Sequence, residues 1–191
     1  MTGKEIVEVG NKNKLTCVFL LLLLISFPFS SGCTKEQVAE TKGVSCIIYD
    51  KLPDDVTKKV EINFGNKIKL LGTNVKKLSP NQLEVSYFWQ VVDKMDRFKN
   101  IYVHFADASN NVLFQNDHEF CAKKTFEELK GKIVKEVFVV GVPQSAKGKE
   151  VSLKLGVYVP EPNGPRLKIE SAGGATLDEK DTRASVEKVS L

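Results

Sequence analysis

Apolar and polar residues alternate along most of the chain beyond residue 60. The clearest stretch is 83–91, in which Leu83, Val85, Tyr87, Trp89 and Val91 form one row and Glu84, Ser86, Phe88 and Gln90 form the other. A period of two is typical of strands that bury one face. Similar runs predict nine strands, at 60–64, 68–72, 83–91, 102–108, 112–115, 133–140, 150–158, 166–170 and 185–191.

Turn residues separate these runs at intervals of roughly ten residues. Gly65-Asn66 and Ser109-Asn110-Asn111 are tight-turn sequences whose residues tolerate positive φ. Helix is expected only at Thr125–Gly131, as a single turn that ends at the glycine. Many short strands with almost no helix indicate an all-β fold, an immunoglobulin-like or carbohydrate-module-like β-sandwich of about nine strands.

The N-terminal part of the chain has a different pattern. Lys12 and Lys14 precede an uncharged apolar run at 15–29, which as a helix spans about 22 Å and is too short to cross a bilayer core of about 30 Å. A basic start, a short apolar centre and small residues at the end are typical of an export signal.

The end of that signal, Ser30-Ser31-Gly32-Cys33, resembles the lipobox of bacterial lipoproteins, although Ser30 stands where an aliphatic residue is usual. The resemblance implies that Cys33 becomes the N-terminus and carries a diacylglyceryl group and an N-acyl chain such as palmitate. We therefore expect a signal peptide at 1–32, a tether at 33–44 and a sandwich domain at 45–191. A soluble exported form and an uncleaved anchor are the alternatives.

The compartment follows from this leader. The protein is expected in the cell envelope, lipid-anchored on the periplasmic side, and Thr34 after the Cys favours the outer membrane over the inner one.

The net charge argues against one class of partner. A formal net charge of +4 over 191 residues, without a basic block, excludes the positively charged surface that nucleic-acid binding requires. Outside the leader and Cys33, Cys46 and Cys121 remain. In an oxidising compartment they can pair, closing a loop worth on the order of 4 kcal/mol, or stay isolated thiols.

The order of several short motifs resembles a bacterial β-sandwich domain that occurs alone or appended to membrane-bound glycosyltransferases. The matching segments are 64–72, 83–90, 102–105, 115–118 and 151–158, and the likeness covers roughly residues 60–190. It implies a sandwich without known catalysis. The long membrane region of the transferases has no counterpart here, so no transferase activity is implied.

Two histidines, His104 and His118, are the candidates for site chemistry, with Asp117 beside them in sequence. A hairpin about Asn110-Asn111 brings its far ends together, and His104 then approaches Asp117 and His118. Such a group can bind zinc or serve acid–base catalysis. Alternatively, it is a polar pair at a strand end, with His118 fixing the next loop. No nucleophile-elbow, zinc-protease or phosphate-loop motif supports an enzyme.

Aromatic residues suggest a second kind of site. Tyr87 and Trp89 share the apolar row and are expected in the core, whereas Phe88 lies on the polar row and is the candidate for an exposed contact, unless a sheet edge or second layer covers it. We therefore expect a non-catalytic binding or scaffolding module, without metal or other cofactor. Its partner is expected to be an envelope polysaccharide or an envelope protein. The alternatives are a small metal-dependent or acid–base enzyme centred on His104 and His118, and a purely structural lipoprotein.

Overall fold

The computed structural model describes residues 42–120 and 125–191. It contains twelve strands, one helical turn α1 (Phe126–Leu129) and a 3₁₀ turn at Gln144–Ala146. The strands are β1 (Lys42–Tyr49), β2 (Lys58–Phe64), β3 (Ile68–Ser79), β4 (Gln82–Val91), β5 (Asn100–Ala106), β6 (Val112–Gln115), β7 (His118–Glu119), β8 (Ile133–Gly141), β9 (Glu150–Tyr158), β10 (Ile169–Ser171), β11 (Thr176–Asp178) and β12 (Arg183–Ser190).

These strands form two antiparallel sheets, which confirms the predicted all-β sandwich. Sheet A has the order β1-β8-β4-β3-β2-β10. Sheet B has the order β11-β12-β9-β5-β6, and β7 pairs with β5 beyond the end of β6. The described residues hold twelve strands instead of about nine. The three additional strands are β7 and β11, which have only two and three residues, and β1, which begins at Lys42, inside the expected tether.

The core lies between the inner faces of the two sheets. Tyr87 and Trp89 are fully buried there, as the alternation in β4 predicts. From sheet B, the rows of β5 and β9 that face inward contribute Ile101, Val103, Phe105, Leu153, Leu155 and Val157. In β4, β5 and β9, one row of side chains thus points into the core and the other lies on the outer face of its sheet, which is what a period of two requires.

The turns follow the local sequence. Gly65 and Asn66 both adopt positive φ, 56° and 55°, and join β2 to β3 in the tight hairpin expected of them. Asn110 has φ 69° in the β5–β6 turn. Thr125 caps α1 in a capping box with Glu128, and Gly131 follows at φ 76°, so the expected helical turn and its glycine stop are confirmed.

Phe88 is buried, so its assignment as an exposed contact is wrong. It lies on the outer face of sheet A, but it packs with Val56 and Ile133 in a small apolar cluster against which Tyr49, Leu52 and Leu71 also pack. The segment between β1 and β2 crosses this face and supplies Leu52 and Val56. Alternation identifies the face of a residue but not the segment that covers it.

No helix among residues 42–120 and 125–191 is long and apolar enough to cross a membrane. The predicted signal peptide, Cys33 and Cys121 lie outside the described residues.

Candidate functional site

The two histidines project from opposite faces of sheet B. His118 lies opposite Ile101, whose side chain is in the core, and His104 lies opposite Gln115 on the other face. Directly opposed residues of antiparallel strands share a face, and neighbours along a strand do not. The expected cluster of both imidazoles with Asp117 is therefore wrong. Only Asp117 approaches His104, with 4.0 Å between Nε2 and Oδ1.

His118 is held inside the sandwich. Its Nδ1 donates to the carbonyl of Asn116 at 2.7 Å, and its Nε2 lies 3.3 Å from Oε2 of Glu136, a carboxylate with no exposed surface. Its ring packs on Phe138, with 4.2 Å between centroids. These contacts fix the start of β7 against sheet A, so His118 has a structural role that links the two sheets.

The outer face of sheet B carries a polar network that is centred on Arg183. This guanidinium side chain is 4% exposed and donates to both oxygens of Asp178, at 2.7 and 3.0 Å. It also forms an ion pair with Glu179 at 2.7 Å. A second cation, Lys154, donates to Asp178 at 2.8 Å. Although burial alone would raise the pKa of the Asp178 carboxyl, hydrogen bonds from Arg183 and Lys154 hold it below its usual range.

One further contact of this network fixes the protonation of His104. Arg183 Nη1 lies 3.4 Å from Nδ1 of His104, and because a guanidinium only donates, Nδ1 must accept. The proton of the neutral ring therefore sits on Nε2, which faces Asp117. Burial, together with the charges of Arg183 and Arg166, lowers the pKa of His104 against the opposite effect of Asp117.

A backbone hydrogen bond holds the Asp117 carboxyl group in place. Its Oδ1 accepts the backbone N–H of Val103 at 2.9 Å, and 29% of its side chain remains exposed, compared with 16% for His104. Burial raises the pKa of the Asp117 carboxyl despite that hydrogen bond and the nearby His104. The pair thus presents an N–H donor and a carboxyl acceptor, both partly open to solvent and both held in place.

Tyr102 and Tyr158 lie next to this pair. Tyr102 is buried beneath Arg166, whose guanidinium lies 4.7 Å from the ring centroid, and its hydroxyl donates to the carbonyl of Thr182 at 2.7 Å. Tyr158 packs edge-on against Tyr102, with 5.9 Å between ring centroids, and is half-buried. The face therefore offers an accessible aromatic ring beside a hydrogen-bonding pair.

Gly156 leaves the space that this arrangement needs. It lies opposite Tyr102 on the neighbouring strand, and a Cβ there would collide with the Tyr102 hydroxyl and the Thr182 carbonyl. The adjoining turn holds Glu179, Lys180 and Asp181 at positive φ, 50°, 59° and 61°. Hydrogen bonds from Tyr102 to Thr182 and from Ile169 to Asp181 keep that turn in place.

Sequence reasoning missed Arg183, Asp178 and Lys154 as members of one site. They come from β12, β11 and β9, and only the sheet order brings them together. One signal was available for the histidines. Asp117 and His118 are consecutive, so in an extended chain only one of them can share the face of His104.

Among the described residues, no group of three or more His, Cys, Asp or Glu side chains is arranged to hold a metal ion. Cys46 is disulfide-bonded. Because the other cysteines lie outside the described residues, its pairing with Cys121 stays a prediction.

Comparisons with family models, curated proteins and solved structures found no match.

Proposed function

We propose that this protein is lipid-anchored in the cell envelope and that its sandwich is a non-catalytic module that binds an envelope polysaccharide. The anchor is the lipidated Cys33 implied by the leader. The binding surface is the outer face of sheet B around His104, Asp117 and Tyr158. The resemblance to domains appended to envelope glycosyltransferases agrees with this assignment.

The observation that carries the proposal is the fixed pair of His104 and Asp117 beside a half-buried tyrosine. Sugar hydroxyls both donate and accept, so an imidazole N–H and a carboxyl group 4.0 Å apart can hold one hydroxyl or two neighbouring ones. The ring of Tyr158 offers an apolar surface for the C–H face of a sugar. Groups that are already held in place lose little conformational freedom on binding, which favours affinity.

The charges of the surrounding network support binding over catalysis. Arg183 and Lys154 hold Asp178, while Arg166 and Arg183 hold Glu179, so these carboxylates are committed to ion pairs. Asp117 alone of the three has no cation in direct contact among the described residues, apart from its approach to His104. A hydrolytic mechanism with two carboxylates needs a second acid beside Asp117, and the ion pairs of Asp178 and Glu179 make both unsuitable for that role.

The test is capture of polysaccharide prepared from the producer's own envelope, with purified protein on beads. Wild type should retain it, and Tyr158→Ala should lower retention at least several-fold, since a stacked ring is lost. Tyr49→Ala is the matched control, because Tyr49 is also half-buried but lies in sheet A. Equal retention by wild type and Tyr158→Ala, or capture of envelope protein instead of polysaccharide, would contradict the proposal.

A second candidate function, acid–base catalysis at His104 and Asp117, is favoured by one observation. The pKa of His104 is lowered and that of Asp117 is raised, mainly by burial. The difference between the two pKa values is therefore smaller than in free side chains, which favours proton transfer between the two groups. Incubation of the captured polysaccharide with wild type and with Asp117→Asn decides between the two. Shortened chains with wild type alone would support the enzyme, whereas intact chains with both support the binding module.

A further inference from the structure

The cations beside the candidate pair are already paired with carboxylates of the same chain. Arg183 and Lys154 both contact Asp178. Arg183 also contacts Glu179, as does Arg166. Of these cations only Arg166 keeps a sizeable exposed fraction, 40% of its side chain, compared with 13% for Lys154 and 4% for Arg183. The positive charge of this network is therefore balanced before any ligand arrives.

The guanidinium of Arg183 has no donor left for a ligand. A guanidinium carries five N–H groups. Nε and Nη2 donate to the two oxygens of Asp178, and Nη2 also donates to Oδ1 of Asn110 at 3.2 Å. Nη1 lies 2.7 Å from Glu179 and 3.4 Å from Nδ1 of His104. Five acceptor contacts thus match five N–H groups, so Arg183 cannot offer an anionic ligand the paired hydrogen bonds that typify carboxylate and phosphate sites.

Asp117 carries the charge that a ligand meets at the pair. Its side chain is 29% exposed, and its Oδ1 lies 4.0 Å from Nε2 of His104. A ligand oxygen bound about 3 Å from that Nε2 is within about 7 Å of the carboxylate. Because water screens charges poorly at a partly buried site, a carboxylate or phosphate of the ligand is repelled there, whereas a hydroxyl can donate to Asp117.

A row of uncharged residues extends from the pair along β5 and β9. Asn100 lies opposite Tyr158, and Tyr102 lies opposite Gly156. Alternation places Asn100 and Tyr102 on the same outer face as His104. An amide, two phenol rings and a glycine offer hydrogen bonds and apolar contact without charge. This row suits the hydroxyls and C–H faces of sugar rings.

From this distribution of charge we infer that the outer face of sheet B binds uncharged sugar units and that Asp117 is the residue that excludes anionic ones. The inference rests on the proposed function and narrows its ligand to a neutral polysaccharide. Specificity of this kind comes from a repulsive element as well as from attractive ones. Here the repulsive element is a single carboxylate, which the backbone N–H of Val103 holds in place at 2.9 Å.

The polysaccharide that protein-coated beads capture from the envelope supplies both probes for the test. It should pass through an anion exchanger without retention. Oxidation of its primary alcohols to carboxylates then gives a charged probe of the same chain. Beads with wild-type protein should retain the oxidised probe on the order of tenfold less than the untreated one. Capture is measured at pH 8, where the imidazole of His104 is neutral because its pKa is lowered from the usual 6.5.

Two variants separate the charge of Asp117 from the net charge of the protein. Asp117→Asn keeps the size of the side chain and removes its charge, so the ratio of oxidised to untreated probe retained should rise several-fold. Glu84→Gln is the matched control, because Glu84 is a partly exposed carboxylate on the outer face of sheet A, and it should leave this ratio unchanged. Circular dichroism confirms that each variant is folded. For wild type, about 1 M sodium chloride, where the Debye length is about 3 Å, should also raise the ratio.

The possible outcomes separate this inference from the proposed function. A captured polysaccharide that is itself acidic, or equal retention of the two probes by wild type, would overturn the inference and leave the binding module in place. A ratio that rises neither in Asp117→Asn nor at high salt, or that rises equally in Glu84→Gln, would overturn the role of Asp117. Capture of no polysaccharide would contradict the proposed function and the inference with it.

Discussion

Arg183 donates to both carboxylate oxygens of Asp178, at 2.7 and 3.0 Å, while only 4% of its side chain is exposed. The two residues lie opposite each other on β11 and β12, at the edge of sheet B. A paired guanidinium and carboxylate hold this edge in one geometry, and through His104 Nδ1 the same guanidinium fixes the proton of the imidazole that faces Asp117. The position of the candidate binding pair therefore depends on a residue whose own side chain is almost fully buried.

Removing the Arg183 guanidinium should lower the free energy of unfolding. Arg183→Ala leaves Asp178 and Glu179 without their main partner in a partly buried site, and we expect a loss of about 2 kcal/mol in the free energy of unfolding. Arg183→Lys should recover only part of it, since an ammonium cannot form the two parallel hydrogen bonds. Arg97→Ala, at an exposed ion pair with Glu161, should change stability by less than about 0.5 kcal/mol. Urea unfolding measures all three, and equal effects of Arg183→Ala and Arg97→Ala would contradict the account.

Phe88 should matter for stability and not for ligand capture. Its ring is fully buried against Val56 and Ile133, so Phe88→Ala should lower the free energy of unfolding by about 3–5 kcal/mol. Polysaccharide retention by the folded fraction should equal that of wild type, because Phe88 belongs to the outer face of sheet A. Selective loss of retention with unchanged stability would restore it as a contact residue.

The stability of the protein should depend on the protonation of His104. Its pKa in the folded state is lowered from the usual 6.5, so the unfolded chain binds this proton more tightly. Stability should therefore rise with pH up to about 6.5 and be lost as pH falls below it. His104→Gln should flatten this part of the profile relative to wild type, and chemical denaturation across that range measures it. Identical slopes in the two proteins would show that another group is responsible.

Asp117 should act in the opposite sense. Its folded pKa is raised above the usual 3.8, so ionisation costs stability as pH increases from there. Asp117→Asn removes that cost and also removes the charge that favours the His104 imidazolium. The same denaturation series should therefore become steeper in Asp117→Asn than in wild type, and a flatter profile would contradict the assigned contact.

Mass spectrometry of the mature protein tests the anchor and the disulfide together. We expect an N-terminal peptide that begins at Cys33 and carries acyl chains, and under non-reducing conditions a peptide that joins Cys46 to Cys121. An unmodified terminus at another residue would refute the lipid anchor. Cys46 bridged to any other cysteine would refute the predicted pairing.

The sequence predicts the sandwich because strand alternation is a local property. In β4, the apolar row Leu83 to Val91 is the row that enters the core. The turn at Gly65-Asn66 and the cap at Thr125 are likewise set by neighbouring residues. The short strands β7 and β11 give no such pattern, since two or three residues cannot show a period.

The candidate site was less predictable, because its members meet only through the sheet order. Asp178 and Arg183 are near in sequence, but their link to Lys154 and His104 follows from β12 pairing with β9 and β9 with β5. The cover over Phe88 is also non-local, since it comes from the segment before β2. The separation of His104 from His118, in contrast, follows from alternation together with the register of the hairpin.

The most direct test of the proposed binding face is a hydrogen-exchange footprint with a saturating fragment of the envelope polysaccharide. We expect slower exchange in β5 around Tyr102–His104, at Asp117 and at the end of β9 near Tyr158, with sheet A unchanged. Protection confined to sheet A, or no protection anywhere in the sandwich, would contradict the assignment of this face as the binding surface.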